Sequence, residues 1–530
     1  MKHFNVTFRP DGKQISIHAG ATLLEAAGQA DIILNTVCGG KGICEKCLVN
    51  LEPHGQQVLA CQYHIQSDIT VTIPPGSRFF EQKILEYGID TKTKLRYDIY
   101  EKYKETASTK NIFGLAVDVG TTTVVAKLID MEDGRCLATQ ATTNPQARYG
   151  DDVISRITYA QTDAKLAELH TVIIECINKL ITQLCNQAQI DATDIYEICV
   201  VGNTTMNHIF LKLPVAQLGQ APYKAFSVDA KDLPAGELAL QINPAGNIHT
   251  VENIAGFVGS DTTAVALAVN MDSAEETMLA VDIGTNGEIV LGTKDKLYVA
   301  SCAAGPALEG ARISCGSRAA EGAIEAVVVN DNDIILDVIG GCAPRSICGS
   351  GLIDAVAVLL NLGIVDATGQ FSKVASLKDK VPEPILARMV EHGGQPAFVL
   401  DERRATSDER LLLTQQDIRE VQLAKAAIRA SIKLLQNKIG LEDSDIKQIL
   451  LAGAFGNYIR KESALRIGLL PDVPPECIHF VGNAASSGAQ MLLLSSQARQ
   501  KARVLARKIE YIEIAHEPEF QAVFADSMSF

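Results

Sequence analysis

Alternating apolar and polar positions open the chain. "FNVTFRPDGKQISIHAGATLLEAAGQA" (4–30) reads as a strand, a hairpin turn at Asp11-Gly12, a second strand and a short helix, and "DITVTIP" (68–74) reads as a closing strand. The pattern then lapses. Residues 76–111 are charged, rich in Lys and Glu and poor in periodic apolar positions, which predicts a linker that docks loosely or forms part-helix. From 112 onward, apolar runs lead directly into Gly-rich turns. "IFGLAVDVGTTTVVAKLID" (112–130) is strand, acidic turn, strand, and the same pattern returns in "MLAVDIGTNGEIVLGT" (278–293). A repeat of this size predicts two similar subdomains, 112–270 and 271–530, after a small unit at 1–75 and the linker. "EICVVGNTTMNHIFL", "RSICGSGLIDAVAVLL" and "QILLAGAFGNYIRKESAL" each join an apolar strand to a helical pattern through a turn of Gly with Ser, Thr or Asn, which indicates α/β layers.

Four cysteines in the first unit follow C-x5-C-x2-C-x13-C: Cys38, Cys44, Cys47 and Cys61. A structural zinc site usually offers two short C-x2-C knuckles on separate turns. Here three candidate ligands share one loop with Gly39, Gly40 and Gly42, and the fourth returns later, close to the plant-type spacing of a [2Fe-2S] centre. The glycines let the loop turn tightly and bring backbone N–H groups towards the sulfurs. Zinc and a disulfide are the competing readings.

Composition narrows the class. The 530 residues are 47% hydrophobic and 21% charged, as in an ordinary globular protein, and the length predicts several domains. A formal net charge of −15 argues against nucleic acid and against an anionic membrane surface. The most apolar stretch, "GLIDAVAVLLNLGIVDA", is interrupted by Asp354 and Asn361 and reads as a buried helix, so no membrane span is expected. The start, "MKHFNVTF", reads as a strand and not a signal peptide, and a cytoplasmic location is the expectation. The nine cysteines outside the cluster loop read as small buried hydrophobes.

A hairpin turn with glycine and hydroxyl residues can aim donors at a phosphate chain, and its leading carboxylate can hold Mg²⁺ directly or through water. Asp-x-Gly alone is a common turn. Two copies in the same strand-turn-strand context, at Asp118 and Asp282, would clamp a triphosphate from both sides. No G-x-x-x-x-G-K-[ST] occurs, and "GTNGEIVLG" lacks the spacing and context of a dinucleotide fold.

"DVGTTT" and "DIGTNGE" resemble the two phosphate motifs of the acetate and sugar kinase/Hsp70/actin superfamily, and "LLAGAFGNY" is similar to its adenosine-side turn. With the amino-terminal cysteine loop, and with "VGNTTMNHIFL", "CAAGPALEGARISCGSRAAEGAI", "ICGSGLIDAVA" and "VGNAASSGA", the chain resembles nearly end to end the reductive activators of corrinoid proteins. Two features depart from that pattern: the linker and middle region are compact, and Glu45 stands where the family often has Gly.

The resemblance implies an α/β fold with an N-terminal β-grasp [2Fe-2S] ferredoxin domain and a duplicated RNase H-like (actin/Hsp70-type) ATPase. It implies ATP-dependent return of an inactive Co(II) corrinoid protein of a methyltransferase system to Co(I), with an upstream electron donor and a homodimer as an allowed assembly. Cys38, Cys44, Cys47 and Cys61 would ligate iron. Asp118 and Asp282 would organise Mg²⁺. Gly120, Thr121, Thr122, Gly284, Thr285 and Asn286 would cradle phosphates. Gly349, Ser350, Gly351, Gly453 and Gly456 would lie near the nucleoside or let helices approach it. Glu309 and Asp261 are candidates for the water-positioning base, although Ser260-Asp261 also suits a helix N-cap. Glu288 reads equally as solvent-facing, His208 as a satisfied helix histidine, and a Cys302–Cys315 pair as a weak claim without geometry. Two rival readings are an ATP-dependent activator of another metalloenzyme, and an electron-transfer or sensing module with a non-hydrolysing ATPase-like half.

Overall fold

The computed structural model describes residues 2–10, 12–30, 32, 34, 47–53, 55–74, 77, 96–104, 111–150, 152–284, 286–310, 312–330, 332–402, 410–453 and 459–530. Cys38, Cys44, Thr285 and Gly456 lie outside them.

The amino-terminal unit is a mixed sheet in the order β2-β1-β5-β3-β4, built from β1 (His3–Arg9), β2 (Lys13–His18), β3 (Leu48–Leu51), β4 (Gln56–Leu59) and β5 (Ile69–Thr72). Helix α1 (Leu23–Gln29) starts at a capping box in which Thr22 and Glu25 satisfy each other's backbone N–H groups. Its Leu23, Ala26 and Ala27 join Val6, Phe8, Ile17, Val49 and Val71 in a core of this unit's own.

Within the stretch read as linker, α2 (Asp98–Lys104) buries Ile99, Tyr100 and Tyr103. The three pack in one apolar cluster with residues of the strands and helices that follow. Glu197, fully buried on the next subdomain's sheet, accepts from the Tyr103 hydroxyl, from Arg499 Nη2 at 2.8 Å and from Asn247 Nδ2 at 2.8 Å. This end of the segment is therefore bolted down by both apolar burial and a hydrogen-bonded ion pair.

Two six-stranded sheets follow. The first runs β10-β11-β9-β6-β7-β8, from β6 (Phe113–Val119), β7 (Thr123–Asp130), β8 (Cys136–Thr143), β9 (Ile195–Gly202), β10 (Lys231–Pro234) and β11 (Asn247–Thr250). The second runs β22-β21-β12-β13-β14-β23, from β12 (Met278–Ile283), β13 (Gly287–Gly292), β14 (Leu297–Cys302), β21 (Gln448–Ala452), β22 (Ile478–Gly482) and β23 (Glu510–Tyr511). In each, an antiparallel meander of three strands is extended by parallel strands on the far side of its first, β6 to β9 to β11 and β12 to β21 to β22. The repeat read from the two acidic turns is thus a repeat of topology. β6 and β9 are buried along nearly their whole length, as parallel strands covered on both faces must be. The amphipathic helix α3 (Asp163–Ala188) lays Leu169, Ile173, Ile177, Leu180 and Leu184 over one face of the first sheet.

Helix α4 (Thr204–Phe210) follows β9, α5 (Ser260–Ala268) follows β11, and α8 (Ala484–Leu494) follows β22. The second lobe also carries two three-stranded sheets: β16-β15-β17, from β15 (Ala323–Asn330), β16 (Asp333–Val338) and β17 (Ser346–Ile347), and β18-β19-β20, from β18 (Met389–His392), β19 (Gln395–Asp401) and β20 (Leu411–Thr414). Its helices include α6 (Gly349–Asn361), α7 (Gln415–Ile439) and α9 (Ser496–Lys508). α5 and α8 pack against each other in the cluster between the two sheets, so the lobes share a core at their junction. Their approach is close: a Cβ on Gly488 of α8 would stand 2.2 Å from the Ala264 carbonyl oxygen of α5. Among the described residues, no helix is long and apolar enough to cross a membrane. α6, the apolar stretch interrupted by Asp354, is a buried helix of the second lobe.

Candidate functional site

The first acidic turn joins β6 to β7. Gly120 N–H donates to Thr123 O at 3.0 Å, and a Cβ on Gly120 would meet that oxygen at 2.7 Å, so the tight turn requires glycine. The turn's carbonyls are all held from behind. Gly120 O accepts from Asn144 Nδ2 at 2.8 Å, Thr121 O from Arg156 Nη2 at 2.6 Å, and Thr122 O from Asn144 N–H at 2.8 Å. Because a trans peptide points its N–H opposite its C=O, anchoring these oxygens turns the N–H groups of Thr121, Thr122 and Thr123 the other way, as an anion cradle requires. The anchors are built in: Arg156 is fully buried and also donates from Nε to Gly150 O at 2.9 Å.

Two helix caps reach the same turn. Asn203 caps α4 by accepting from Met206 N–H at 2.9 Å, and its Nδ2 donates to Thr121 Oγ1 at 2.8 Å. Asn483 caps α8 by accepting from Ser486 N–H at 2.8 Å, and its Nδ2 donates to Asp118 Oδ2 at 3.2 Å. Both asparagines stand at a Gly-Asn step ending a parallel strand, one in each lobe. A cap side chain can thus serve the helix with one atom and the turn with another. Asn144, Arg156, Asn203 and Asn483 were not among the residues singled out in the sequence. The "VGN" shared by 201–203 and 481–483 was the signal that could have found the two caps.

At the second turn, Gly284 N–H donates to Asn286 O at 3.2 Å. Asp282 stands in register opposite Glu288 across the hairpin, and beside Ala452 of β21. Gly453 follows with φ +92°, and a Cβ there would lie 2.6 Å from Asp282 Oδ1. Glycine is needed at that point for both the left-handed backbone and the close carboxylate. Glu309 is drawn to this turn: a Cβ on Gly284 would be 3.9 Å from its Oε1. Asp261 lies in the first turn of α5 and accepts from Thr262 N–H at 2.7 Å. The N-cap of that helix is Gly259, while Ser260 uses its hydroxyl on the Gly202 backbone.

Asp118, Asp261, Asp282 and Glu288 therefore converge between the lobes. Burial first, then Asp261 and Asp282, pushes the Asp118 carboxyl up to about 7. Burial and then Asp261 push Asp282 up to about 7, and burial raises Asp261 to about 6. Glu288 rises well above the usual carboxylate range through burial and the charges of Asp261 and Asp282. It lies against the carboxylate cluster, half-buried, with Ser301 donating to its Oε1 at 3.4 Å. Confined carboxylates that repel one another favour a cation. Among the described residues, no such group is closed around one ion by protein ligands alone. A hard oxygen-donor set of this kind suits a divalent cation such as Mg²⁺.

At the start of α6, Ser350 donates to Glu325 O at 2.9 Å, and a Cβ on Gly351 would meet Ile324 O at 2.3 Å. Gly349, Ser350 and Gly351 thus bring the helix directly onto β15. His208 is buried, with Nδ1 on Thr204 O at 2.7 Å and Nε2 accepting from Ser227 N–H at 3.3 Å. Cys302 and Cys315 are separate thiols: the sulfur of Cys302 lies against Gly287, and Cys315 donates to Leu412 O at 3.1 Å.

In the amino-terminal unit, Cys47 and Cys61 flank the β3–β4 hairpin, whose pairing of Leu48 with Leu59 brings them to one end. Ala60 N–H donates to Cys47 O at 2.9 Å, and both cysteines are buried and not disulfide-bonded.

Comparison with known proteins covers all three parts. Residues 4–74 match the family described as a 2Fe-2S iron-sulfur cluster binding domain, 113–274 the RACo middle region, and 276–530 the C-terminal domain of RACo, the ASKHA domain. The chain is 35% identical to the corrinoid activation enzyme RamQ of Eubacterium limosum, over 98% of each chain. The chain belongs to the reductive activators of corrinoid proteins. A reductive activator for a corrinoid, iron-sulfur protein shares its fold with a TM-score of 0.73 and 30% identity, over 99% of this chain and 98% of that one. A [Co(II) methylated amine-specific corrinoid protein] reductase of Methanosarcina barkeri is 26% identical over 79% of this chain and 77% of its own. As in other reductive activators, a [2Fe-2S] ferredoxin domain here precedes an actin/Hsp70-like ATPase fold.

Proposed function

We propose that this reductive activator returns a Co(II) corrinoid protein to Co(I) by delivering one electron, with ATP supplying the drive. The observation that supports it is the presence, in one chain, of a cysteine-flanked ferredoxin hairpin and of two Asp-x-Gly turns facing one carboxylate-lined cleft.

Cys38, Cys44, Cys47 and Cys61 hold the [2Fe-2S] cluster, which supplies one-electron transfer when bound. The N–H groups of residues 121–123, set by Asn144 and Arg156, receive phosphate oxygens from the first lobe. In the second lobe Gly284 closes the turn with its N–H on Asn286 O, and Thr285 and Asn286 offer their donors to the phosphates. Asp118 and Asp282 would hold Mg²⁺, which would supply charge compensation for the phosphates when bound. Asp261 and Glu309, each beside a turn, are the groups able to position the attacking water. Gly453 and Gly456 border the nucleoside. A ferredoxin unit has no evident purpose in a kinase that phosphorylates a metabolite. ATP accordingly acts through lobe closure on α5 and α8, changing the surface offered to the corrinoid protein.

The test combines the iron- and sulfide-loaded chain with a Co(II) corrinoid protein and a mild one-electron reductant, with and without MgATP. Co(I) absorption should grow only with MgATP. Full Co(I) formation without nucleotide would make ATP regulatory. No Co(I) under any condition would refute the activation reading.

A further inference from the structure

Among the described residues, the ferredoxin unit meets the ATPase at a polar contact. His3 and His18 stand directly opposite each other on β1 and β2, and both reach the same carboxylate of the second lobe. His3 Nε2 lies 3.2 Å from Asp337 Oδ1, and His18 Nε2 lies 3.6 Å from Asp337 Oδ2. Asp337 is the next-to-last residue of β16, and its side chain is only 9% exposed. Among the described residues its ion-pair partners are these two imidazoles. The His3 ring also rests on the loop after β16: a Cβ on Gly341, at φ +63°, would lie 3.6 Å from His3 Cγ.

A carboxylate withdrawn from water needs charge or hydrogen-bond compensation. Here it comes from another domain, and the negative neighbourhood sharpens the need. Glu325 of β15 is close enough to Asp337 that burial and Asp337 together push its carboxyl up to about 7. Among the described residues, the buried Asp337 carboxylate thus takes its side-chain compensation from the ferredoxin hairpin.

The geometry points to a docking latch: we propose that His3 and His18 closing on Asp337 park the ferredoxin unit on the β15–β16 sheet with its cluster edge turned away. The orientation follows from strand order. The latch histidines lie on β1 and β2 at one edge, whereas Cys47 and Cys61 flank β3–β4 at the other. Four strand spacings separate β2 from β4, about 19 Å at roughly 4.8 Å each. The cysteine-bearing edge is therefore the one farthest from the latch, and releasing the latch frees the unit to travel. The docking itself does not depend on the function proposed above. Only its consequence, control of when the electron carrier meets its partners, rests on that reading.

The test uses the full, cluster-loaded chain under anaerobic conditions, comparing wild type with Asp337→Asn and with the double variant His3→Gln/His18→Gln. Hydrogen–deuterium exchange over 13–18 and 333–338 should accelerate about tenfold in both variants, the loss expected for a charge-assisted contact. Small-angle scattering should show a larger radius of gyration, with cluster absorption and ATP turnover unchanged. The histidine variant keeps the result readable if Asp337→Asn perturbs the lobe. Unchanged exchange and radius in the histidine variant would overturn the latch. Failure of wild type to generate Co(I) would refute the proposed function and leave these two measurements standing.

Discussion

Substituting alanine for Gly488 tests whether the α5–α8 crossing sets the nucleotide cleft. The added Cβ would lie 2.2 Å from Ala264 O, 2.6 Å from Ala264 C and 2.8 Å from Ala264 Cα, all backbone atoms that no side-chain rotation can move aside. Restoring van der Waals contact requires the two helices to part by roughly 1 Å. The displacement reaches the site through both helices. Asn483 caps α8 and donates to Asp118 at 3.2 Å, a bond that an extra ångström removes. Asp261 lies in the first turn of α5, three positions before Ala264. Overpacking of this kind costs about 1–3 kcal/mol, and a misplacement of about 1 Å at a reacting centre costs on the order of 10²-fold in rate. Phosphate release at saturating MgATP should therefore fall between about tenfold and a hundredfold. The melting temperature should drop, and visible absorption of the cluster should stay unchanged. Gly236→Ala is the control, because nothing lies within 4 Å of its added Cβ. Turnover within about twofold of wild type, with no loss of thermal stability, would show that the crossing does not position the carboxylates and would refute this reasoning.

Asp118→Ala and Asp282→Ala should each remove ATP turnover while leaving the iron-sulfur absorption intact, and normal turnover in both would make the repeated turns structural. Cys47→Ala should abolish Co(I) formation while ATP hydrolysis persists, which separates the two activities in one assay pair. Arg499→Ala leaves Glu197 buried without its cation, so unfolding of the ATPase followed by far-UV circular dichroism in urea should show a loss of about 3 kcal/mol, with faster exchange in α2. Lys425 is buried beneath the carboxy-terminal residues, where burial and then Arg429 lower its ammonium to about 8. Above that value the folded state has lost a proton that the unfolded state keeps to about 10.4, so this group's contribution to stability rises with pH. Relative to Lys425→Met, wild type should gain about 1 kcal/mol between pH 7 and pH 9 in urea titrations, and a flat difference would refute the shift.

Local chemistry was legible because it is written locally. The cysteine spacing, the β1–β2 hairpin and the two Asp-x-Gly turns lie within short segments whose backbone preferences need no distant partner. The repeated strand-turn-strand pattern was enough to expect two like lobes, and the strand order of the two large sheets matches that expectation. The apolar stretch broken by Asp354 could be read as a buried helix for the same reason: a polar residue inside it is tolerable in protein, where Val327 N–H and Arg460 reach it, and costly in lipid.

What surrounds those turns was decided by tertiary structure. Asp118 meets Asn483, Thr121 meets Arg156 and Asn203, and His3 and His18 meet Asp337, each across a long stretch of sequence. Glu288 follows its turn at a position that read equally as solvent. It became part of a carboxylate cluster only when the α5 of one lobe brought Asp261 against the β12–β13 hairpin of the other. The charged segment before 112 read as a linker that docks loosely or forms part-helix because its few apolar residues lack a long period; a helix is found at Asp98–Lys104, and only the tertiary structure shows Ile99, Tyr100 and Tyr103 buried by partners from both lobes. Periodicity reports which face of an element is apolar, and spacing reports which residues share a loop. Neither encodes which distant element will cover that face or neutralise that charge, because this depends on how the chain closes its loops and packs its sheets, and that is where this protein's turn anchors, cation-seeking cleft and domain contact arise.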